Sequence, residues 1–273
     1  MTSNLDCIGL GVEDQAALRA LITEVLPKSV SLGVAGGVDV RRWEDPSGSR
    51  IVLGVRQKEI VDLLPSFAAP TDARLGDVHP VTEEIVVGDV LDENGEMLTR
   101  LAMGLEERRF FPSNAEIGCS ASVVALGVDV TVHQDEEAFG KSPESFLDGA
   151  HEGEEPPATY AERGLKWPPR MGAESFISQG LFGEPNAHAR LYGTVLVSER
   201  RTVSDTGKSV VVVAVRTVGF TARICIPGDS LATDPAAGNV VGGTVYLVGS
   251  IPELLEGRER QRSERKSWLR RRT

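Results

Sequence analysis

The chain has 273 residues, 41% hydrophobic and 25% charged, which is enough to bury one large core or two ordinary ones. Aromatic residues are only 5%, so a core must be built largely from valine, alanine and other small or β-branched side chains, which favours sheets over helical bundles. The formal charge of −11 excludes nucleic-acid binding by the whole surface, because phosphate contacts need clustered Lys and Arg.

Cys7, Cys119 and Cys225 are odd in number, far apart and set in apolar stretches, so they read as buried reduced thiols and exclude a disulfide framework or a zinc motif. Met1 to Asp6 is polar and lacks the basic-then-apolar order of a signal peptide. No apolar run approaches the roughly 20 residues that cross a bilayer. The expectation is a cytoplasmic protein without a membrane partner.

Cys7 to Val12 is expected as a short strand, followed by an acidic helix start at Glu13-Asp14 and apolar residues at helical spacing: Ala16, Leu18, Leu21, Ile22 and Val25. Pro27 ends that helix. Strands are then expected at Val30 to Val34 and Val38 to Trp43, around Gly36-Gly37. Others are expected at Arg50 to Val55, after the turn Asp45-Pro46-Ser47-Gly48, and at Glu59 to Leu64.

Two stretches here, Ile8-Gly9-Leu10-Gly11-Val12-Glu13-Asp14 and Glu44 to Leu53, carry a resemblance to the glyoxalase-like, or vicinal-oxygen-chelate, families, which pair βαβββ modules into a cupped sheet. The resemblance covers residues 7–55 and implies such a module. Metal-dependent members begin the first strand with histidine and carry a glutamate on the strand after the turn. Cys7 and the carboxylate-free Ile51 to Val55 stand there in this chain, so the resemblance implies the fold without the metal.

Further strands are expected at Glu84 to Leu91, Met97 to Leu105 and Ala115 to Val132, the first two joined by a turn at Asn94-Gly95. They complete an α+β domain, a mixed α/β-sheet unit spanning residues 1–133. Residues 134–186 are an acidic, Pro/Gly-rich linker: Gln134 to Pro157 holds eight carboxylates against one lysine. The aromatics Trp167, Phe176 and Phe182 read as plugs at a domain junction.

From Arg190 to Ile251 the chain alternates as strands, with a tight connection at Ser204 to Lys208 and glycines at 219, 242, 243 and 249 where strands coil sharply. This run, including Gly238-Asn239-Val240-Val241-Gly242-Gly243-Thr244-Val245, is similar to a small OB-like β-barrel and defines a C-terminal unit at residues 187–252. A basic tail, 253–273, follows. From Gly257 onward it carries eight Lys or Arg against two Glu, a local charge of +6 that leaves −17 elsewhere.

Chemistry is thinly marked. His79, His133, His151 and His188 lack metal-motif spacing, and His133 beside Asp135, Glu136 and Glu137 reads as a solvated turn. No serine sits in a nucleophile elbow. Gly33 to Gly37 lacks the helix start that a phosphate loop needs. The doublets Glu83-Glu84 and Glu106-Glu107 read as surface. No catalytic residue, metal ligand or cofactor is assigned.

The leading expectation is a non-enzymatic binding or scaffold protein, with a protein partner, self-association or nucleic acid as its target. The contact residues would be Arg200, Arg201, Lys208, Arg216 and Arg223 from the barrel. Arg258, Arg260, Arg262, Arg265, Lys266, Arg270, Arg271 and Arg272 would join them from the tail. Tyr192, Phe220 and Tyr246 are few for a stacking platform. The alternatives are a glyoxalase-like enzyme or small-molecule binder using the N-terminal sheet, and a subunit of a protein assembly.

Overall fold

Valine-rich segments bounded by glycine and aspartate turns become strands throughout the computed structural model, which describes residues 2–111, 117–147, 153, 155–181 and 183–255. The protein is mostly β, 49% strand against 18% helix, with one large mixed sheet. Eleven predicted strands correspond to observed ones. The first does not: Cys7 to Val12 holds a 3-10 turn, Asp6–Ile8, closed by Gly9 at φ +71°. The Asp6 carboxylate accepts hydrogen bonds from Ser3, and Cys7, Ile8 and Leu10 are buried as a plug. An apolar run of this length has no periodicity with which to declare itself a strand.

Helix α1 (Gln15–Lys28) is capped by Asp14, whose carboxylate accepts from the Ala17 amide at 2.8 Å, and it buries Val25. Four antiparallel strands follow in simple order: β1 (Val30–Ala35), β2 (Val38–Glu44), β3 (Ser49–Arg56) and β4 (Glu59–Phe67). Both faces of its β2–β3 centre are covered, while β1 stays largely exposed. The Ser49 hydroxyl donates to the Ile8 carbonyl on one side. On the other, Leu64 lies against Gly104, where a Cβ would stand 3.1 Å from its Cδ1.

The remaining strands are β5 (Ala73–Pro80), β6 (Ile85–Leu91), β7 (Met97–Leu105), β8 (Ile117–His133), β9 (Ser175–Ser178), β10 (His188–Thr202), β11 (Ser209–Arg216), β12 (Thr221–Pro227) and β13 (Val240–Ser250). Their ladders close two rings that share the long β8–β13 pair. One ring runs β5-β6-β7-β13-β8 and returns to β5. The other runs β10-β11-β12-β8-β13 and returns to β10. Closure pairs β13 on both sides over most of its length, whereas β8 has a neighbour on both sides only at Val124 to Leu126.

The two rings are built alike. In each, three antiparallel strands lead to a long fourth, and the third strand lies parallel to the long strand of the other ring: β7 beside β13, β12 beside β8. Residue types follow suit. Ala73 and Leu75 enter the β8 ladder as Ala189 and Leu191 enter that of β13, and both pairs of residues face the interior. In this register Val124 corresponds to Val248, and these two are partners across the shared ladder. The chain therefore contains an internal repeat, residues 73–133 and 188–250.

One apolar cluster runs through both rings. It takes Leu101, Met103 and Leu105 from β7, Val211, Val213 and Val215 from β11, and Ala121, Val123, Ala125, Val245 and Leu247 from the shared pair. A second cluster joins the opposite face of that pair, at Val124, Leu126 and Val248, to Val52, Leu64, Trp43 and the N-terminal plug. The shared ladder thus crosses the boundary expected at 133: residues 187–252 close their ring only with β8.

The segment expected as a linker contributes short elements: α2 (Glu136–Lys141), α3 (Ala158–Glu162) and β9, which pairs with β10. Phe139 packs on Tyr192, and Phe176 on Phe220. Of the junction aromatics, Phe176 is a plug of this kind, Trp167 is half-buried against Tyr160 of the same segment, and Phe182 lies outside the described residues.

Candidate functional site

The basic residues expected to contact phosphate are dispersed and mostly engaged. Arg200 pairs with Asp234 and donates to the Gly228 carbonyl at 2.9 Å. Arg201, next along β10, points to the other face, where it reaches Glu199 at 2.7 Å and the Ser47 carbonyl at 3.0 Å. Arg216 holds Glu174 at the far end of β11. Lys208 donates to the Gly11 carbonyl at 3.1 Å, on the rim of a cleft of about 580 Å³ lined also by Thr2, Asp6, Gly9 and Asp229. Arg223 stands in mid-strand with Nη1 buried and no hydrogen-bond partner among the described residues. The eight tail cations lie outside the described residues.

The outer faces of both meanders are already occupied. On β11 and β12, Val210, Val212 and Cys225 pack into the cluster that contains Cys7, Ile8 and Leu10. Gly9 fits there because a Cβ would meet Val203 at 2.6 Å. On β6 and β7, Ile85, Val87 and Ala102 pack on Leu181 and Ala187. Of the residues considered for stacking, Tyr192 and Phe220 are buried.

Exposed apolar side chains remain at several places among the described residues. A Cβ on Gly219, in the β11–β12 turn, would stand 3.0 Å from the Cβ of Leu98 on β7, so the tips of the β6–β7 and β11–β12 hairpins meet. The exposed apolar side chains at these joined tips are Met97 at 58%, Leu98 at 44% and Val218 at 40%. Val30 and Val34 on β1, and Leu196 and Val197 on β10, are exposed as well.

The most perturbed acid in the described residues is one the sequence reading placed at the surface. Glu106 and Glu107, at the end of β7, are both buried. Glu106 accepts from Arg42 at 3.2 Å, Arg50 at 3.3 Å and the Ser66 hydroxyl at 2.6 Å, which ties β2, β3 and β4 to the rings. Glu107 turns the other way, accepting from the Ser250 hydroxyl at 2.7 Å and the Ile251 amide at 2.9 Å. Burial, then the Glu106 carboxylate, push its carboxyl up from 4.5 to about 7. The signal available in sequence was the bracketing: Met103-Gly104-Leu105 before the pair and Phe110-Phe111 shortly after it.

The thiols are inert by environment. Burial pushes Cys7 and Cys119 up to about 12 and Cys225 higher still, far from a reactive thiolate. Among the described residues no group of three or more His, Cys, Asp or Glu is placed to hold a metal ion, and no helix is long and apolar enough to cross a membrane. Comparison with protein-family models, with curated proteins and with solved structures finds no match.

Proposed function

We propose that the chain is a non-enzymatic, cytoplasmic binding protein, an adaptor or assembly subunit, whose barrel body meets another protein through the joined tips of the β6–β7 and β11–β12 hairpins. We read each ring as an OB-like barrel: the first strand lies between second and fourth, and the third is parallel to the fifth. In the second ring β8 serves as fifth strand although it comes first in the chain. OB barrels bind oligonucleotides on the face of strands two and three. Both such faces here carry packed segments of the same chain, and three of the five barrel cations are held by carboxylates, which favours protein over nucleic acid as the partner of the body.

The observation that carries this reading is the exposed apolar cluster Met97, Leu98 and Val218. Large apolar side chains gathered at one end of a folded chain are typical of protein contact sites. Its test compares wild type with Met97→Asp/Leu98→Asp/Val218→Asp in light scattering and in capture from the native host. The triple variant should stay folded, with an unchanged circular dichroism spectrum, and lose self-association or the captured partner. Unchanged assembly and capture would discard the site.

A second reading, nucleic acid bound through the tail, rests on the local charge of +6 from Gly257 to Thr273. It predicts binding of single strands that weakens steeply with salt and is independent of the barrel arginines. The glyoxalase-like reading has less support, because the centre of the β1–β4 sheet is covered on both faces by residues of the plug and of the rings.

A further inference from the structure

The ladder that closes the first ring is short. Between β7 and β13 only Gly104 with Val248 and Leu105 with Gly249 are in register, extended by the Glu106 amide donating to the Gly249 carbonyl at 3.0 Å. The next side chain, Glu107, sits where β7 ends, 1% exposed, and both of its oxygens are bonded to the last residues of the β13 side: the Ser250 hydroxyl and the Ile251 amide. Both donors are neutral.

The cations around it are committed elsewhere. Arg42 and Arg50 reach Glu106 and also Glu44, while Arg108 and Arg109 both reach Asp62 on β4. From the remaining side, Tyr246 lies against Gly104, and Glu253 is exposed beyond Ile251. Among the described residues an acid so placed has one carboxylate neighbour, Glu106, and no ion-pair partner.

We propose that Glu107 is a proton-operated latch on the β7–β13 seam: protonated, it seats neutrally between the two chain segments, and on losing its proton it loosens them. A buried charge held by neutral donors beside a second carboxylate is costly, and the structure can relieve it most cheaply by opening its weakest ladder to water. The raised carboxyl, titrating at about 7, places the change near neutrality. The consequence is a ring that is firm in mildly acidic solution and opens at one seam in alkaline solution.

The test is amide hydrogen exchange on the full chain between pH 6 and 8, corrected for intrinsic rates, in wild type and Glu107→Gln. In wild type the protection of the Glu106 and Ile251 amides should fall at least tenfold across this range, while β11–β12 amides hold constant. In Glu107→Gln the fall should vanish. Equal protection at both pH values in wild type, or the same fall in the variant, would overturn the proposal. Should Glu107→Gln not fold, the carboxyl carbon of Glu107 is followed by NMR in wild type. A midpoint near 7 that coincides with the loss of protection supports the latch, and a midpoint below 5.5 sinks it.

Discussion

Adjacent glutamates at the end of β7 have opposite consequences because their partners differ. Glu106 is held by two guanidinium groups and a hydroxyl, so Glu106→Gln leaves Arg42 and Arg50 facing a neutral amide and should cost roughly 3 kcal/mol, the scale of a broken buried ion pair. Chemical denaturation at pH 7 measures it. Glu107 has no such partner among the described residues, and its folded value lies above its unfolded one. The folded state therefore binds the extra proton, so the contribution of Glu107 to stability is fully present below about 4.5 and is lost as pH rises through about 7. The full swing is of order 3 kcal/mol for a shift of this size. Wild type should accordingly lose stability between pH 5 and pH 8, and Glu107→Gln should lose less. A wild type whose stability rises over that interval contradicts the assignment.

Element by element, the glycines of β13 show why the rings can share a ladder. Gly242 runs between β8 and β10, and a Cβ there would stand 2.0 Å from the Leu191 carbonyl oxygen. That neighbour is backbone, so Gly242→Ala must part the strands and should destabilise by more than about 2 kcal/mol in urea denaturation. Most strands were legible because alternation and turn chemistry agreed: Asp45 and Gly48 make the β2–β3 turn, and Asp92 with Gly95 makes the β6–β7 turn. β5 was missed since Gly76, Asp77 and Pro80 interrupt its pattern, and Asp77 takes a positive φ at a bulge. The repeat shows in sequence as Ala73-Arg74-Leu75 against Ala189-Arg190-Leu191, Gly118 against Gly242 and Val124 against Val248, too few identities to outweigh different loops. Ring membership is a long-range property, so nothing local at β8 could reveal that it closes a barrel made of later strands.

At the scale of the molecule, the interior cluster is continuous across both rings, and the four-stranded sheet is fastened to them by Glu106 and by the plug. Such a body should unfold as one cooperative unit despite its domain-sized halves. Far-ultraviolet circular dichroism and tryptophan fluorescence should give the same midpoint in urea, and Leu191→Ala in the second ring should shift both by the same 2 to 5 kcal/mol, roughly the cost of a buried leucine deletion. The same covered barrel faces underlie the functional proposal, in which the body meets protein and any polyanion is met by the tail. The most direct measurement is fluorescence anisotropy of a labelled single-stranded oligonucleotide at low salt, comparing the full chain with a variant whose eight tail cations, Arg258, Arg260, Arg262, Arg265, Lys266, Arg270, Arg271 and Arg272, are changed to Gln. The proposal predicts that the variant does not bind, whatever the wild type does; salt-sensitive binding by the variant, abolished by Lys208→Ala or Arg223→Ala, would place the ligand on the barrel and contradict it.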